Sequence, residues 1–125
     1  MGANRPGYFH ADIGSADNRR EFRMSEGLNY FNRGGVHCIE AVNDQREGFY
    51  VYLPAGIESD VYPLQVGLPS IVHVTDNSEA ELYPQGTLTL TVDGEGQFTG
   101  VFSGIDADGI TVKNGSFQLM PAMPG

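Results

Sequence analysis

Glycine and proline divide this chain into short apolar runs, and this punctuation limits the fold more than any other feature. The sequence holds seventeen glycines and seven prolines in 125 residues, and its apolar runs recur at intervals of about ten residues. Glycine and proline both destabilise a helix interior. The connections, roughly two to six residues long, are too short for the crossovers that parallel strands need. The chain is therefore predicted to be all-β: a mainly antiparallel β-sandwich or small barrel of roughly eight to ten strands, with little or no helix.

The clearest strands lie in the C-terminal half, where apolar and polar residues alternate strictly. Leu88, Leu90 and Val92 alternate with three threonines, so one face of this strand is expected to be buried. Phe98 and Phe102 share a face of the next run, and the glycine-rich turn between the two runs predicts a hairpin. The dipeptide Asn-Gly further along predicts either another turn or a bulge within one strand.

The N-terminal half is less regular. One strand is clear, because Phe49, Val51 and Leu53 alternate with two tyrosines. The segment Arg19 to Phe31 is the one place where a turn or two of helix could form. Weaker strand candidates are Tyr8–Ile13, Glu21–Met24, Val36–Val42, Val61–Val66, Ser70–Thr75 and Glu81–Tyr83.

Length and charge limit the organisation and the partners. A chain of 125 residues suits one domain over residues 1–125, with ends at 1–6 and 120–125 that are expected to fray. The formal net charge of −9 would repel nucleic acid and anionic membranes, so no nucleic-acid partner is predicted and a basic protein partner is favoured. No run approaches the roughly 20 apolar residues of a membrane span. Exposed edge strands leave a homo-oligomer open.

The start of the chain bears on its location. The first residues lack the basic region and apolar run of a secretory signal. The chain as written is therefore expected in the cytoplasm. A chain from which a signal had been removed would look the same and would be periplasmic or extracellular.

The order of these elements resembles a group of uncharacterised small bacterial all-β proteins that are often secreted proteins or lipoproteins. The likeness covers most of the chain and rests on turn and core signals. The matching segments are Phe9–Gly14, Val51–Ile57, Asp60–Tyr62, Gly86–Leu90, Phe98–Phe102 and Val112–Phe117. The resemblance implies an all-β fold and carries no activity.

The sequence shows no constellation of catalytic, cofactor-binding or metal-ligating residues. His10, His37 and His73 each lie in a predicted strand and would form a site only if the fold brought them together. The segment Asp106–Gly109 begins like an acidic calcium loop but lacks the later ligands, so a plain turn is predicted. Cys38 is the only cysteine and is expected to be a packed thiol. The chain is predicted not to be an enzyme and to need no cofactor.

Tyrosine provides the most suggestive pattern. Tyr50 and Tyr52 occupy the polar face of one strand and Tyr62 lies on another, and tyrosine is enriched where proteins meet partners. Cross-strand packing would explain the same pattern. The leading hypothesis is a non-catalytic binding or interaction domain, and the alternative is a small-ligand carrier with a barrel cavity. Four phenylalanines would line that cavity: Phe49, Phe98, Phe102 and Phe117.

Overall fold

The computed structural model of the protein describes residues 3–14, 17, 19–25, 27–64, 67–94 and 97–121, and these residues form eleven strands joined by turns. Every strand pair in this part of the chain is antiparallel. The strands are β1 (Ala3–Arg5), β2 (Gly7–Ile13), β3 (Arg20–Met24), β4 (Leu28–Arg33), β5 (Val36–Val42), β6 (Gly48–Leu53), β7 (Asp60–Pro63), β8 (Ser70–Thr75), β9 (Ser78–Gly94), β10 (Gln97–Asp106) and β11 (Thr111–Leu119).

The strands pair into one curled sheet that forms a half-barrel. Its order is β1-β4-β5-β6-β8-β9-β10-β11-β2-β3, and β7 pairs with β9 beside this path. We call β1, β4, β5, β6, β8 and the start of β9 the first half, and the end of β9 with β7, β10, β11, β2 and β3 the second half. The predicted all-β, mainly antiparallel architecture is confirmed. Because the described residues form strands and turns, they include no helix long and apolar enough to cross a membrane.

Strand β9 joins the two halves. Its first residues pair with β8 and its last residues pair with β10. The sequence predicted a weak strand at Glu81–Tyr83 and a clear one that carries Leu88, Leu90 and Val92. In the structure both lie within β9, whose pairing with β10 shifts register between Leu82 and Gln85, so a bulge interrupts the pairing and the strand continues past it.

The two ends of the described chain are tied together. Strand β1 pairs with β4, and Arg5 donates from Nε to the carbonyl of Met120 at 2.8 Å. The amide of Met120 donates to the carbonyl of Pro6 at 2.9 Å. These hydrogen bonds join the described residues at the two ends of the chain, and the fraying expected at 1–6 and 120–125 stays a prediction. Residues 1–2 and 122–125 lie outside the described residues.

One hydrophobic core lies between the halves and contains the predicted alternating residues. Phe49, Val51 and Leu53 are fully buried, and so is Leu88. At the centre the ring of Phe9 stacks on that of Phe49, with centroids 5.0 Å apart. The predicted alternation in these strands is therefore confirmed.

The described residues from Arg19 to Phe31 lie mainly in strands, so the turn or two of helix that the sequence left open there is absent from them. Phe22 on β3 and Leu28 on β4 both enter the core, and Gly27 between the strands has a φ of +113°. Burial of these two side chains in a sheet outweighs any weak local preference for helix.

Strands β10 and β11 are matched through aromatic and glycine pairs. Gly100 lies opposite Phe117, and Phe102 lies opposite Gly115. A Cβ atom on either glycine would lie 2.5 Å from the facing ring, so each ring lies across the backbone of its glycine. Asn114, with a φ of +53°, belongs to a register shift inside β11. The Asn-Gly dipeptide is thus a bulge within one strand, the second of the two predicted readings.

Candidate functional site

One face of the first half carries a row of side chains that crosses five strands. Directly paired residues in an antiparallel sheet project from the same face. Glu40 pairs with Asn29 on one side and with Tyr50 on the other, and the row continues through Val72 to Glu81. The alternate residues of these strands enter the core, so this row points outward.

Two further rows lie beside the first on the same outer face. One row joins Phe31, Cys38 and Tyr52, and the other joins Val74 to Glu79. Three aromatic and three acidic side chains therefore share this surface. We name this set the acidic aromatic face: Phe31, Glu40, Tyr50, Tyr52, Glu79 and Glu81.

The acidic aromatic face has an apolar floor. Val72 and Val74 are only 8% and 7% exposed although they point outward, because longer neighbouring side chains shield them. Tyr50 and Tyr52 are half-buried, and their ring centroids lie 6.2 Å apart with planes tilted by 59°. An apolar centre with a polar rim is the usual anatomy of a protein interface.

The titration behaviour of the two tyrosines reflects this environment. Burial raises the pKa of Tyr50 above its ordinary value, and the carboxylates of Glu40 and Glu79 raise it further. Burial also raises the pKa of Tyr52, with smaller contributions from the Cys38 thiol and Glu40. Both phenols therefore stay neutral at physiological pH and lie in a negative electrostatic field.

Two contacts on this face involve charged groups. The guanidinium carbon of Arg33 lies 5.3 Å from the centre of the Phe31 ring, a cation–π contact. Asn29 donates from Nδ2 to Oε1 of Glu40 at 2.8 Å. A groove of about 360 Å³ opens beside Glu40 and Tyr50. The face can therefore receive a cation against an aromatic ring or beside a carboxylate.

The structure brings together two of the three tyrosines that were predicted to bind a partner. Tyr50 and Tyr52 are neighbours on β6. Tyr62 lies on β7 in the second half, packs against the core and donates its hydroxyl to the carbonyl of Glu58 at 2.6 Å. Tyr62 is therefore not part of the acidic aromatic face.

A second polar cluster lies inside the fold around His73, which is 1% exposed. Its Nδ1 donates to Oδ2 of Asp106 at 2.9 Å, and its Nε2 faces Oε2 of Glu47 at 3.4 Å. Glu47 in turn pairs with Arg20, and the ring of Phe49 stacks on the imidazole with centroids 5.2 Å apart. We name the four polar residues the buried histidine cluster: Arg20, Glu47, His73 and Asp106.

The buried histidine cluster links distant parts of the chain. Its members come from β3, the turn before β6, β8 and the end of β10. Oδ1 of Asp106 accepts the amides of Asp108 and Ile110, both at 2.9 Å, and so shapes the turn that the sequence predicted. Carboxylates face both ring nitrogens of His73, and the ring is shielded from water. The arrangement suits a structural link between the two halves.

The other candidate histidines have partners of their own. His10 lies beside Tyr8, with ring centroids 4.9 Å apart, and Nδ1 of His37 lies 2.6 Å from the hydroxyl of Tyr30. Together with His73 they occupy three separate environments. Within the described ranges, no three His, Cys, Asp or Glu side chains form a group that could hold a metal ion.

Cys38 is buried, as the sequence predicted, but it belongs to the outer rows of the first half. Its Sγ contacts the carbonyl of Val36 at 3.6 Å. Burial raises the pKa of the thiol above its ordinary value. The thiolate, which is the reactive form, is therefore disfavoured.

Sequence reasoning missed most members of the acidic aromatic face, and it singled out His73 and Asp106 without predicting that they meet. The carboxylates of Glu40, Glu79 and Glu81 join the tyrosines only through strand pairing, which alternation within one strand does not specify. His73 shares the parity of Ile71 along β8, and this could have placed it on the core side. Both faces of β8 are buried, however, so the parity alone carried little information.

The interpretation of both clusters depends on their own geometry. No protein-family model, no curated protein and no solved structure matches this chain.

Proposed function

We propose that this protein is a non-catalytic binding domain whose acidic aromatic face binds a basic segment of another protein. The observation that carries the proposal is the row from Asn29 to Glu81. It crosses five strands and combines carboxylates, a tyrosine and an apolar floor on one outer surface. A preformed sheet surface of this kind can receive a partner without folding first.

The charge of the face selects the partner. Glu40, Glu79 and Glu81 add negative potential to a chain with a net charge of −9, which attracts and orients a cationic surface. Tyrosine rings bind ammonium and guanidinium groups over their faces. A segment rich in lysine or arginine therefore complements both features of the surface.

The alternative of a small-ligand carrier has less support. The four phenylalanines that would line its cavity are between 0% and 4% exposed. The ring centroids of Phe49 and Phe102 lie 5.8 Å apart, and those of Phe102 and Phe117 lie 6.3 Å apart. These rings pack on one another, which favours the binding domain over the carrier.

A peptide titration tests the proposal. A short peptide that alternates lysine with serine is added to the isotopically labelled protein, and backbone amide shifts are followed by NMR. We expect the largest shifts on β5, β6 and the start of β9, because these strands carry the acidic aromatic face. A matched peptide with glutamine in place of lysine should produce no such pattern.

Two charge variants distinguish binding at the face from general attraction between opposite charges. The double variant Glu79→Gln with Glu81→Gln should weaken binding of the lysine peptide by roughly tenfold, because it removes charges at the surface itself. The control, Asp17→Asn with Glu58→Gln, removes the same charge from loops outside the face and should weaken binding by about twofold or less. Equal weakening by both variants would overturn the proposal.

A further inference from the structure

We infer that the groove beside Glu40 and Tyr50 takes a lysine side chain of the partner in preference to an arginine. This inference rests on the proposed function and names the chemistry of one contact within it. The groove has a volume of about 360 Å³ and opens at the edge of the acidic aromatic face. Met24 and Val42 line it together with Asn29, Glu40 and Tyr50.

The walls of the groove fit the stem of a long cationic side chain. Met24 and Val42 are half-buried apolar side chains. A lysine stem buries its methylene groups along such a surface while its charged end remains in a polar environment. Glu40 supplies the carboxylate at that polar end, and the ring of Tyr50 lies beside it as a neutral aromatic surface.

The hydrogen bond between Asn29 and Glu40 favours lysine. Oε1 of Glu40 already accepts from Nδ2 of Asn29 at 2.8 Å. Arginine binds a carboxylate best through two parallel hydrogen bonds, one to each oxygen. An ammonium group is a point charge that needs only one oxygen, and Oε2 of Glu40 can provide it. Asn29 therefore acts as the residue that sets the preference.

The nearby cations are held away from this contact. Arg23 lines the adjoining groove, but its guanidinium bonds to the carbonyls of Ala11 and Phe22 and to Asp12. Arg33 on the other flank of the face lies over Phe31. Arg23 and Arg33 thus each have a partner elsewhere, and no ion pair between the described residues involves Glu40, so its carboxylate can meet a cation of the partner.

The ratio of two affinities tests the inference. The peptide that alternates lysine with serine and a matched peptide with arginine in place of lysine are each titrated by calorimetry. We expect the lysine peptide to bind about fivefold or more tightly. Asn29→Ala should bring the ratio close to one by strengthening the arginine peptide, since Oε1 of Glu40 is then released. Glu81→Gln is the matched control, because it weakens both peptides and leaves the ratio unchanged.

A second measurement on the unaltered protein does not depend on any variant folding. Nuclear Overhauser contacts should join the lysine side-chain methylenes of the peptide to the methyl group of Met24. A ratio near one for the unaltered protein, or side-chain contacts elsewhere on the face, would overturn the lysine inference and leave the proposed function standing. Amide shifts that avoid the face altogether would overturn both.

Discussion

The buried histidine cluster and the acidic aromatic face use similar side chains with opposite results. In the cluster the side chains of His73 and Asp106 are 1% and 0% exposed, and each has its hydrogen-bond partner within the chain. On the face Glu79 is exposed and Tyr50 is half-buried, and their charge and aromatic surface point outward. Carboxylates and rings thus bind one another inside the cluster, whereas on the face they point toward the proposed partner.

This difference predicts that the cluster contributes to the free energy of unfolding and the face to the free energy of binding. A buried polar group whose partner belongs to the fold costs stability when that partner is removed. An outward carboxylate costs little stability when it is removed, because water solvates what remains. Variants of the cluster should therefore lower stability, and variants of the face should lower binding.

The largest expected effect is on stability, from Asp106→Ala. This change leaves the Nδ1 of His73 and two turn amides without their acceptor in a buried site. The free energy of unfolding should fall by about 3 kcal/mol, as measured by urea denaturation. Asp108→Ala in the same turn is the control. It removes only an exposed hydrogen bond from Ser78 and should cost less than about 1 kcal/mol. Similar losses from both variants would contradict a structural role for the cluster.

The next effect is on binding, from the double variant Tyr50→Ser with Tyr52→Ser. It removes the aromatic surface of the face and should weaken the lysine peptide by roughly tenfold or more. Its free energy of unfolding should fall by about 2 kcal/mol or less. The matched control, Thr89→Ser with Thr91→Ser, alters exposed residues of the second half and should leave binding unchanged. A folded tyrosine double variant that binds as well as the unaltered protein would sink the proposed interface.

The contrast between the clusters also explains how far the sequence could predict the molecule. Alternation places Leu88 and Phe49 in the core because the side-chain period of a strand is local. The hydrogen bond between His73 and Asp106 spans 33 positions and depends on the curl of the sheet. No local pattern encodes that distance.

The acidic aromatic face shows the same limit. Tyr50 and Tyr52 were found because they lie on one strand, two residues apart. Glu40 and Glu81 come from other strands and join them only through the register of three strand pairs. Tyr62 appeared equivalent in sequence but points to the core from β7. Residue type indicated the kind of surface, and pairing decided its members.

A third polar group, the carboxylate of Asp12, makes the stability of the protein depend on pH. Asp12 on β2 is 7% exposed, and hydrogen bonds from Asn114 and Arg23 lower its pKa below the ordinary value. A lowered pKa in the folded state stabilises the protein above the unfolded pKa of about 4. That contribution is lost as pH falls through the folded pKa.

The variant Asn114→Gly removes the hydrogen bond that lowers the pKa of Asp12 most. Glycine still adopts the φ of +53° at this position. The variant should be less stable than the unaltered protein at neutral pH, and the difference should shrink as the solution is acidified. Urea denaturation over a series of pH values measures it. Asp12→Asn is the control and should remove the acid-dependent part altogether. A stability difference that stays constant with pH would contradict the linkage to Asp12.

The smallest effect concerns the field at the face itself. Burial raises the pKa of Tyr50 and the carboxylate of Glu40 raises it further, so Glu40→Gln should move that pKa part of the way back toward its ordinary value. Carbon NMR of labelled tyrosine rings, followed as pH rises, resolves the phenol of Tyr50 from the others. Glu58→Gln lies away from the face and should leave the titration unchanged. Because the folded state favours the neutral phenol, stability should decline as pH rises from about 10 through the raised pKa. An unchanged Tyr50 titration in Glu40→Gln would mean that Glu40 contributes nothing to the negative field at this ring, and would contradict its role in attracting a basic partner.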